Sequence, residues 1–294
     1  MDKNNKRYLI VDGSNYLFRS YFGVPEFASF NGVKVNAVYG FFAILRRVTR
    51  TVNPDAIIVV FDSQTGIVNK IEERPEYKAT RDLVDTGMYV QLPMIKKILE
   101  RCGMQWIEPP DHEADDIIGS LAYKLTRNNG TTFISSNDFD FAQLITDKVV
   151  LVRDIRGNAI HITESDFLKE WGFKPIQYLD YLALKGDSSD NVMGIRGIGP
   201  KIAKSFVVKY NSIQGIIEHL EELSPNIADK LRPEINRILS NLKFLKIQTE
   251  INDNLNDIVE ERVEFSQKAL YETKTNEHLV AIGIKGESKL LKRE

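Results

Sequence analysis

The sequence predicts an α/β fold in which a mainly parallel sheet is flanked by helices. Short β-branched and aromatic runs near residues 8–12, 57–62 and 131–135 alternate with segments of helical length. Strands of this composition, separated by helices, are typical of buried parallel sheets. Beyond about residue 175 the strand pattern fades, which predicts a small all-helical unit packed against the sheet domain.

The predicted elements alternate regularly along the chain. In order they are strand 8–12, helix 36–51, strand 57–62, helix 88–102, a short strand 105–107, helix 113–127, strand 131–135, and a short helix followed by a strand at 149–153. The strands are recognised by continuous apolar runs such as Ile57-Ile58-Val59-Val60-Phe61, and the helix at 113–127 by acidic residues in its first turn. The segment between 62 and 88 is charged and has no apolar period, so we expect it to be irregular.

Three of the apolar runs lead into an aspartate. The first ends at Asp12, the second at Asp62, and the third continues through Ser135-Ser136-Asn137 to Asp138. Ligands of open α/β sheets bind beyond the carboxyl ends of the strands. We therefore expect these three carboxylates to converge on one cleft.

Further acidic clusters follow in the sequence and can line the same cleft. The complete candidate set is Asp12, Asp62, Glu113, Asp115, Asp116, Asp138, Asp140, Asp187 and Asp190. Gathered together, these carboxylates would repel one another unless cations neutralised them. Hard oxygen ligands in such number predict Mg²⁺ or Mn²⁺, ions that proteins use to hydrolyse phosphodiesters.

Taken singly, each acidic cluster has an ordinary structural explanation. Glu113, Asp115 and Asp116 suit the first turn of a helix because of the helix dipole, and a lone aspartate at a strand end is often a turn or cap residue. The recurrence of acids at three strand ends and in three clusters favours a joint metal site instead.

The bulk composition describes an ordinary globular chain. Its 294 residues can form one large core, or one core with a satellite domain. No apolar stretch is long enough to span a bilayer and no secretory segment follows the N-terminus. The single cysteine, Cys102, excludes an intramolecular disulfide framework and a cysteine-based zinc site, and predicts helix packing in a reducing compartment. The formal net charge is −2, but the surface outside the cleft would be net basic if metal ions masked the nine acids.

A glycine-rich segment predicts contact with nucleic-acid backbone. The run Gly194-Ile195-Arg196-Gly197-Ile198-Gly199-Pro200-Lys201 places glycines in a turn and a proline at a helix start. Free N–H groups at that start can hold a phosphate, and Lys201 and Lys204 share one helix face. This is a helix-hairpin-helix signature, although a plain turn between two helices would also accommodate the glycines.

The charged segment at 72–82 has two alternative interpretations. Lys78 and Arg81 would share a face if the segment became helical. Beside a metal cleft, they could clamp single-stranded phosphates and stabilise charge on the scissile one. As a solvated loop the segment would have no function of its own.

Several motifs together carry a family resemblance. In chain order they are Val11-Asp12-Gly13-Ser14-Asn15 with Arg19, Val60-Phe61-Asp62, Tyr77-Lys78-Ala79-Thr80-Arg81, Glu113-Ala114-Asp115-Asp116, Asn137-Asp138-Phe139-Asp140, Gly186-Asp187-Ser188-Ser189-Asp190-Asn191 and Gly197-Ile198-Gly199-Pro200-Lys201. Their order and spacing resemble those of the 5′-nuclease (flap endonuclease) family. The best match is the 5′→3′ exonuclease domain of bacterial DNA polymerase I and its stand-alone relatives, over roughly residues 6–250.

The resemblance implies a PIN-like sheet domain at 1–174 with a helical arch at about 70–100. It further implies a helix-hairpin-helix DNA-binding unit at 175–260, while the role of 261–294 stays open. The implied activity is metal-dependent cleavage of DNA at 5′ flaps and ends, as 5′→3′ exonuclease and flap endonuclease, in primer removal and repair. We expect a stand-alone cytoplasmic enzyme of the bacterial nucleoid, a monomer without membrane contact, acting on flapped, branched, nicked or RNA-primed DNA.

The resemblance also implies roles for individual residues. All nine carboxylates match the family's acids and would bind two or more Mg²⁺ or Mn²⁺ ions. We expect Asp12, Asp62, Glu113 and Asp115 to hold one ion and Asp138, Asp140 and Asp187 another, with Asp116 and Asp190 peripheral. Lys78 and Arg81 match catalytic arch cations, and K⁺ can bind at the hairpin. The matching DNA-binding residues are Arg19, Tyr77, Gly197, Gly199, Lys201 and Lys204.

Three other classes of protein compete with this interpretation. A phosphatase with an aspartyl nucleophile needs a second acid two residues after Asp12, where this chain has Ser14. A PIN-type ribonuclease shares the acidic cleft but not the hairpin at 197–204. A catalytically silent branched-DNA binding protein would not need the full set of acids.

Overall fold

The computed structural model describes residues 6–29, 32–63, 65–79, 86–127 and 129–251. At its centre is a six-stranded sheet with the strand order β3-β2-β1-β4-β5-β6. The strands are β1 Arg7–Asp12, β2 Ala56–Val60, β3 Gln105–Ile107, β4 Thr131–Ser135, β5 Val149–Ile155 and β6 Asn158–Ile162. Neighbouring strands are parallel except for β6, which pairs antiparallel with β5. The predicted mainly parallel sheet is therefore confirmed.

Helices cover the sheet and form the C-terminal part of the described chain. They are α1 Gly13–Gly23, α2 Asn36–Val52, α3 Val68–Glu73, α4 Thr86–Arg101, α5 Ala114–Arg127, α6 Glu164–Trp171, α7 Tyr178–Lys185, α8 Pro200–Tyr210, α9 Ile213–Glu218, α10 Pro225–Leu231 and α11 Ile235–Phe244. A two-stranded ribbon, β7 Gly186–Asp187 and β8 Val192–Met193, interrupts the helical unit. Within these described stretches, every helix is too short or too polar to cross a membrane.

The alternation of side chains along the central strands divides the core into two layers. Leu9 and Val11 of β1 point to one face, where they belong to the core formed with α1, α2 and α4. Tyr8 and Ile10 point to the other face and join a core with α5 and the C-terminal helices. The sheet is therefore covered on both faces, which explains its unbroken apolar strands.

The structure corrects several predicted boundaries. α1 was not predicted, because Gly13-Ser14-Asn15 is a weak helix start in sequence; Asp12 caps it by accepting a hydrogen bond from Asn15 N at 2.9 Å. The edge strand β6 and the helix α6 were also missed. The second strand ends at Val60, two residues earlier than expected.

The charged segment after the second strand is more ordered than predicted. It contains the helix α3 and a series of turns up to Ala79. We call residues 68–79 the stem. Residues 80–85, which include Arg81, lie outside the described part of the chain. The predicted arch at 70–100 is therefore described only at its two flanks, the stem and α4.

The chain after α11 returns to the sheet domain. Residues 245–251, which we call the strap, run beside α5. Gln143 donates to Leu245 O at 3.2 Å, and Gln248 N donates to Asp116 Oδ1 at 2.8 Å. A Cβ on Gly119 would lie only 2.6 Å from Gln248 O, so the strap touches the backbone of α5. The helical unit is consequently attached to the sheet domain at both of its ends.

We expect Gly186→Ala to destabilise the protein strongly. Gly186 has φ +78°, and a Cβ there would lie 2.2 Å from the backbone N of Gly194, which follows the paired strand β8. The strained φ and the steric overlap together should lower the free energy of unfolding by about 3 kcal/mol. Gly103→Ala is the matched control, because Gly103 has φ +70° and nothing within 4 Å of its Cβ position; it should cost about 1 kcal/mol. Urea denaturation measures both, and equal losses would contradict the steric argument.

Candidate active site

Asp12 lies at the centre of an acidic cleft at the carboxyl end of the sheet. Its side chain is buried at the junction of β1 and α1, where it accepts hydrogen bonds from Asn15 N at 2.9 Å and Ser136 Oγ at 2.7 Å. Burial, together with the charges of Asp62 and Asp138, raises the pKa of Asp12 to about 7 despite these hydrogen bonds. The carboxylate is thus held in place but poorly neutralised.

Asp62 and Asp115 face Asp12 from the neighbouring strand and helix. Asp62 Oδ1 accepts a hydrogen bond from Ala114 N at 2.9 Å, at the first residue of α5. That bond fixes the start of α5 beside the end of β2. Burial and the charges of Asp12, Asp138 and Asp62 raise the pKa of Asp115 well above its ordinary value.

Asp138 and Asp140 extend the cleft beyond β4. Burial and the charges of Asp190 and Asp187 raise the pKa of Asp138, although Asp140 N donates to Asp138 Oδ1 at 2.9 Å. Burial, followed by the charges of Asp138, Asp187 and Asp190, raises the pKa of Asp140. Ser136 connects this group to the first one, because its Oγ accepts a hydrogen bond from Asp138 N at 3.0 Å while donating to Asp12.

The β7–β8 ribbon brings two acids from the helical unit, Asp187 in β7 and Asp190 in the turn. Asp187 is held by Ser189, whose N and Oγ donate to Asp187 Oδ1 at 2.7 and 2.6 Å. Asp190 Oδ2 lies 3.2 Å from the hydroxyl of Tyr77. The helical unit thus completes a cleft that begins on the sheet.

Glu113 is the one acid of the described cleft that two lysines neutralise together. Lys78 Nζ lies 2.5 Å from Glu113 Oε1, and Lys70 Nζ pairs with Oε2. Burial alone would raise the pKa of Glu113, but the two ammonium groups lower it. The pKa of Lys78 is in turn raised: burial opposes the charged form, and Glu113 and Asp190 outweigh it. Both lysines come from the stem, which therefore closes over the cleft.

Two predicted site residues are engaged in internal contacts at the edge of the cleft. Tyr77 is buried, with its ring against Phe244 at a centroid distance of 4.9 Å and its hydroxyl 3.2 Å from both oxygens of Glu113. Asp116 is also buried and accepts its hydrogen bond from the strap, with Lys70 3.5 Å away. These contacts place Tyr77 and Asp116 in the supporting wall of the cleft.

The predicted DNA-contacting cations lie in different surroundings. Arg19 donates to the carbonyl of Asp154 at 2.7 Å and pairs with its carboxylate at 3.3 Å. Lys201, near the start of α8, is exposed, whereas Lys204 donates to Glu170 O at 2.9 Å and packs over Trp171. Lys201 and Lys204 thus differ in their freedom to meet a ligand.

The hairpin before α8 has the geometry that its glycines predict. Gly197 has φ +86°, Gly199 is the N-cap of α8, and Pro200 occupies the first turn. A pocket of about 370 Å³ beside Gly197 is lined partly by Arg196, Lys230 and Glu234. The hairpin therefore presents exposed backbone next to two positive side chains and one carboxylate.

Comparison with known proteins identifies the family. The N-terminal resolvase-like domain of 5′-3′ exonucleases matches residues 7–172, and the C-terminal SAM fold of 5′-3′ exonucleases matches residues 173–267. The chain belongs to the 5′-3′ exonuclease family. This membership confirms the resemblance, the predicted fold and the predicted class of enzyme, a 5′→3′ nuclease.

Relatives in this family span most of the chain. A 5′-3′ exonuclease of Aquifex aeolicus is 31% identical over 86% of this chain and 85% of its own length. One of Buchnera aphidicola is 38% identical over 74% of this chain and 75% of its own. The flap endonuclease of bacteriophage T5, solved in a complex with DNA and metal ions, has the same fold, with a TM-score of 0.68, 19% identity and coverage of 94% of this chain and 99% of that one.

Sequence reasoning missed two side chains that hold the cleft of this exonuclease together. Lys70 pairs with Glu113 and Asp116, and Ser136 bridges Asp12 and the backbone of Asp138. The signal for Lys70 was available, since it lies in the same charged segment as Lys78. Ser136 could have been suspected only from its position between two strand-end acids.

The stability of the metal-free protein should fall as pH rises from about 5 to 8. Asp12 has a folded pKa of about 7 against an ordinary value of 3.8, so the folded state holds a proton that the unfolded state has lost. The stabilisation from that proton is complete below the unfolded pKa and disappears above the folded pKa. In a chelating buffer, we expect Tm to be higher at pH 5.5 than at pH 8 by roughly a few degrees. Asp12→Asn should reduce this difference in Tm. An unchanged pH dependence of Tm in that variant would show that Asp12 is not the group responsible.

Proposed function

We propose that this chain is a structure-specific 5′ nuclease that hydrolyses DNA phosphodiesters at 5′ flaps and ends. The observation that carries the proposal is the gathering of Asp12, Asp115, Asp138 and Asp140 in one acidic, partly buried cleft with Lys78 beside it. Such a cleft repels a phosphate backbone unless it is neutralised. Once metal ions neutralise the cleft, a DNA phosphate can enter it and lie beside the ammonium group of Lys78.

The donor set of the cleft fits divalent ions. It consists of carboxylate oxygens, which Mg²⁺ and Mn²⁺ prefer. Four of these carboxylates are buried, so that an added positive charge is favourable beside them: Asp12, Glu113, Asp116 and Asp187. In the described residues, no three acidic, histidine or cysteine side chains already form a metal cage.

The nine carboxylates would divide between the ions by position. We assign Asp12, Asp62, Glu113 and Asp115 to one ion and Asp138, Asp140 and Asp187 mainly to another, with Asp116 and Asp190 peripheral. The contact between Asp116 and the strap supports its peripheral role. Bound divalent ions would supply a water of lowered pKa and stabilise the leaving oxygen.

Lys78 is assigned to the scissile phosphate, together with Arg81. Lys78 is paired with Glu113, and a phosphate oxygen is an anion that can replace this partner. In a cleft shielded from water, the ammonium group would then stabilise the charge that develops in the transition state. Arg19 and Tyr77 are assigned to the DNA path on their family match.

The hairpin is assigned to duplex backbone, without base readout. Gly197 and Gly199 would let a phosphate approach the N–H groups at the start of α8, where Lys201 adds a charge and Lys204 adds a second. Backbone carbonyls of the same hairpin would hold K⁺. We propose the corresponding domain division, with nuclease chemistry at 1–174, DNA binding at 175–260 and an open role for 261–294. Residues 252–294 lie outside the described part of the chain.

The biological setting follows from the substrate. We infer that flapped, branched, nicked and RNA-primed DNA are the partners of this chain, during primer removal and repair. A monomer in the cytoplasm at the bacterial nucleoid meets these substrates without a membrane.

Product mapping on three DNA substrates tests the proposal. With Mg²⁺, the protein should cut a 5′-flap substrate near the junction and degrade nicked DNA from the 5′ end. Single-stranded DNA should be a poorer substrate. Asp138→Asn removes one ligand and one charge that repels phosphate, so it should lose most activity while DNA binding is kept or tightened. Binding without any cleavage by the wild-type protein, with or without Mg²⁺, would instead favour a silent DNA-binding protein.

Lys78→Ala should slow the chemical step rather than binding. If its ammonium group acts in the transition state, the single-turnover rate should fall by about two orders of magnitude or more, with little change in substrate affinity. Rapid-quench kinetics on the flap substrate separates the two quantities. Weaker binding with an intact cleavage rate would make the stem a tether for the 5′ strand only.

A further inference from the structure

One arginine of the stem binds α11 of the helical unit. Arg74 Nη1 donates to Asn241 Oδ1 at 2.9 Å and Nη2 donates to Ser240 Oγ at 2.5 Å, both on α11. The guanidinium carbon also lies 4.3 Å from the centre of the Phe244 ring. Two directed hydrogen bonds and a stacked ring fix the guanidinium in three directions. We call this set of contacts the arginine clamp.

Asn241 extends the clamp to the ribbon that carries the acids. Its side chain is 1% exposed, and its Nδ2 donates to Ala183 O at 3.2 Å and Met193 O at 2.9 Å. Met193 belongs to β8, which pairs with the strand that contains Asp187. One buried amide therefore links Arg74 to the strand pair that presents Asp187.

The other end of the stem is bound to the turn of the same ribbon. Lys78 N donates to Asp190 O at 3.1 Å, and Asn191 Nδ2 donates to Glu76 O at 2.7 Å. Lys78 itself has φ +54°, a left-handed conformation that a lysine keeps only where its surroundings hold it. The position of the Lys78 ammonium group thus depends on both attachments of the stem, the one at Arg74 and the one at residues 76–78.

Arg74 and Lys78 are directly connected along the chain between these two attachments. Tyr77 N donates to Arg74 O at 2.9 Å, which closes a tight turn. The Tyr77 ring packs on the same Phe244 that stacks with the guanidinium. A shift of Arg74 would consequently be passed through this turn to Lys78.

We propose that Arg74 is a positioning residue for the cleavage step, which acts through the arginine clamp by fixing Lys78 relative to the acids. This inference rests on the role proposed above for Lys78. The clamp joins the helical unit to the catalytic cation, so movement of α11 relative to the sheet displaces Lys78. Arg74 has no contact with the reacting group itself.

A double-mutant cycle on the full-length chain tests the clamp. Single-turnover cleavage of a 5′-flap substrate in Mg²⁺, and substrate affinity, are measured for Arg74→Met, Lys78→Ala and the double variant. Misplacing a catalytic group by about an ångström lowers rates by up to roughly a hundredfold, so Arg74→Met should slow cleavage by roughly ten- to a hundredfold with little change in affinity. In the Lys78→Ala background the same change should have almost no further effect.

Two surface variants complete the design. Arg237→Met is the control. Arg237 lies on α11, where it forms an ion pair with Glu234 at 3.1 Å, and the variant should cleave at the wild-type rate.

Ser240→Ala removes only the acceptor of Arg74 Nη2, on an exposed residue, so it keeps the test available if Arg74→Met folds poorly. It should slow cleavage a few-fold, roughly the effect of one lost hydrogen bond, and this loss should vanish in the Lys78→Ala background.

The outcomes separate the clamp from the proposed function. The clamp is overturned, and the role of Lys78 stands, if Lys78→Ala cleaves slowly while Arg74→Met and Ser240→Ala cleave at the wild-type rate. The same holds if Arg74→Met and Ser240→Ala lower the cleavage rate by the same factor in the Lys78→Ala background as in the wild type. If Lys78→Ala cleaves at the wild-type rate, the role of Lys78 fails and the clamp has no catalytic group to position.

Discussion

The concentration of negative charge at one edge of the sheet is the constraint on which the rest of the site depends. Parallel strands end side by side, so the acids that follow β1, β2 and β4 are brought together by the topology itself. The backbone positions of these acids cannot move apart without breaking the sheet. The surroundings compensate instead: a serine bridges two strand ends, the start of α5 donates to Asp62, and two lysines neutralise Glu113.

The second half of the cleft comes from a part of the chain that is distant in sequence. Asp187 and Asp190 belong to a ribbon inserted between helices, and its close backbone approach requires glycine at positions 186 and 194. The stem joins this ribbon to the sheet. A cleft assembled from two units in this way is complete only when both are correctly packed, which ties the chemistry to the contact between them.

Much of this arrangement was predictable because it is local in sequence. The strand-end position of Asp12, the start of α5 and the glycine turn at 197–199 each follow from short patterns of residues, and β4 has the predicted bounds. α1 and β6 were not predictable in the same way, since α1 begins with a glycine and two residues of low helix propensity, and β6 is an edge strand defined by its pairing with β5. The clamp between Arg74 and Asn241 spans 167 residues and leaves no periodic trace in the sequence. Contacts of this kind depend on the tertiary structure alone.

The strap has a consequence for how this protein loses its structure. The helical unit leaves the sheet domain after α6 and returns to it along α5, and one apolar cluster includes side chains from both. Neither part can open without exposing apolar surface of the other. We therefore expect the sheet domain and the helical unit to unfold as one cooperative unit with a single melting transition, rather than as two modules that denature independently.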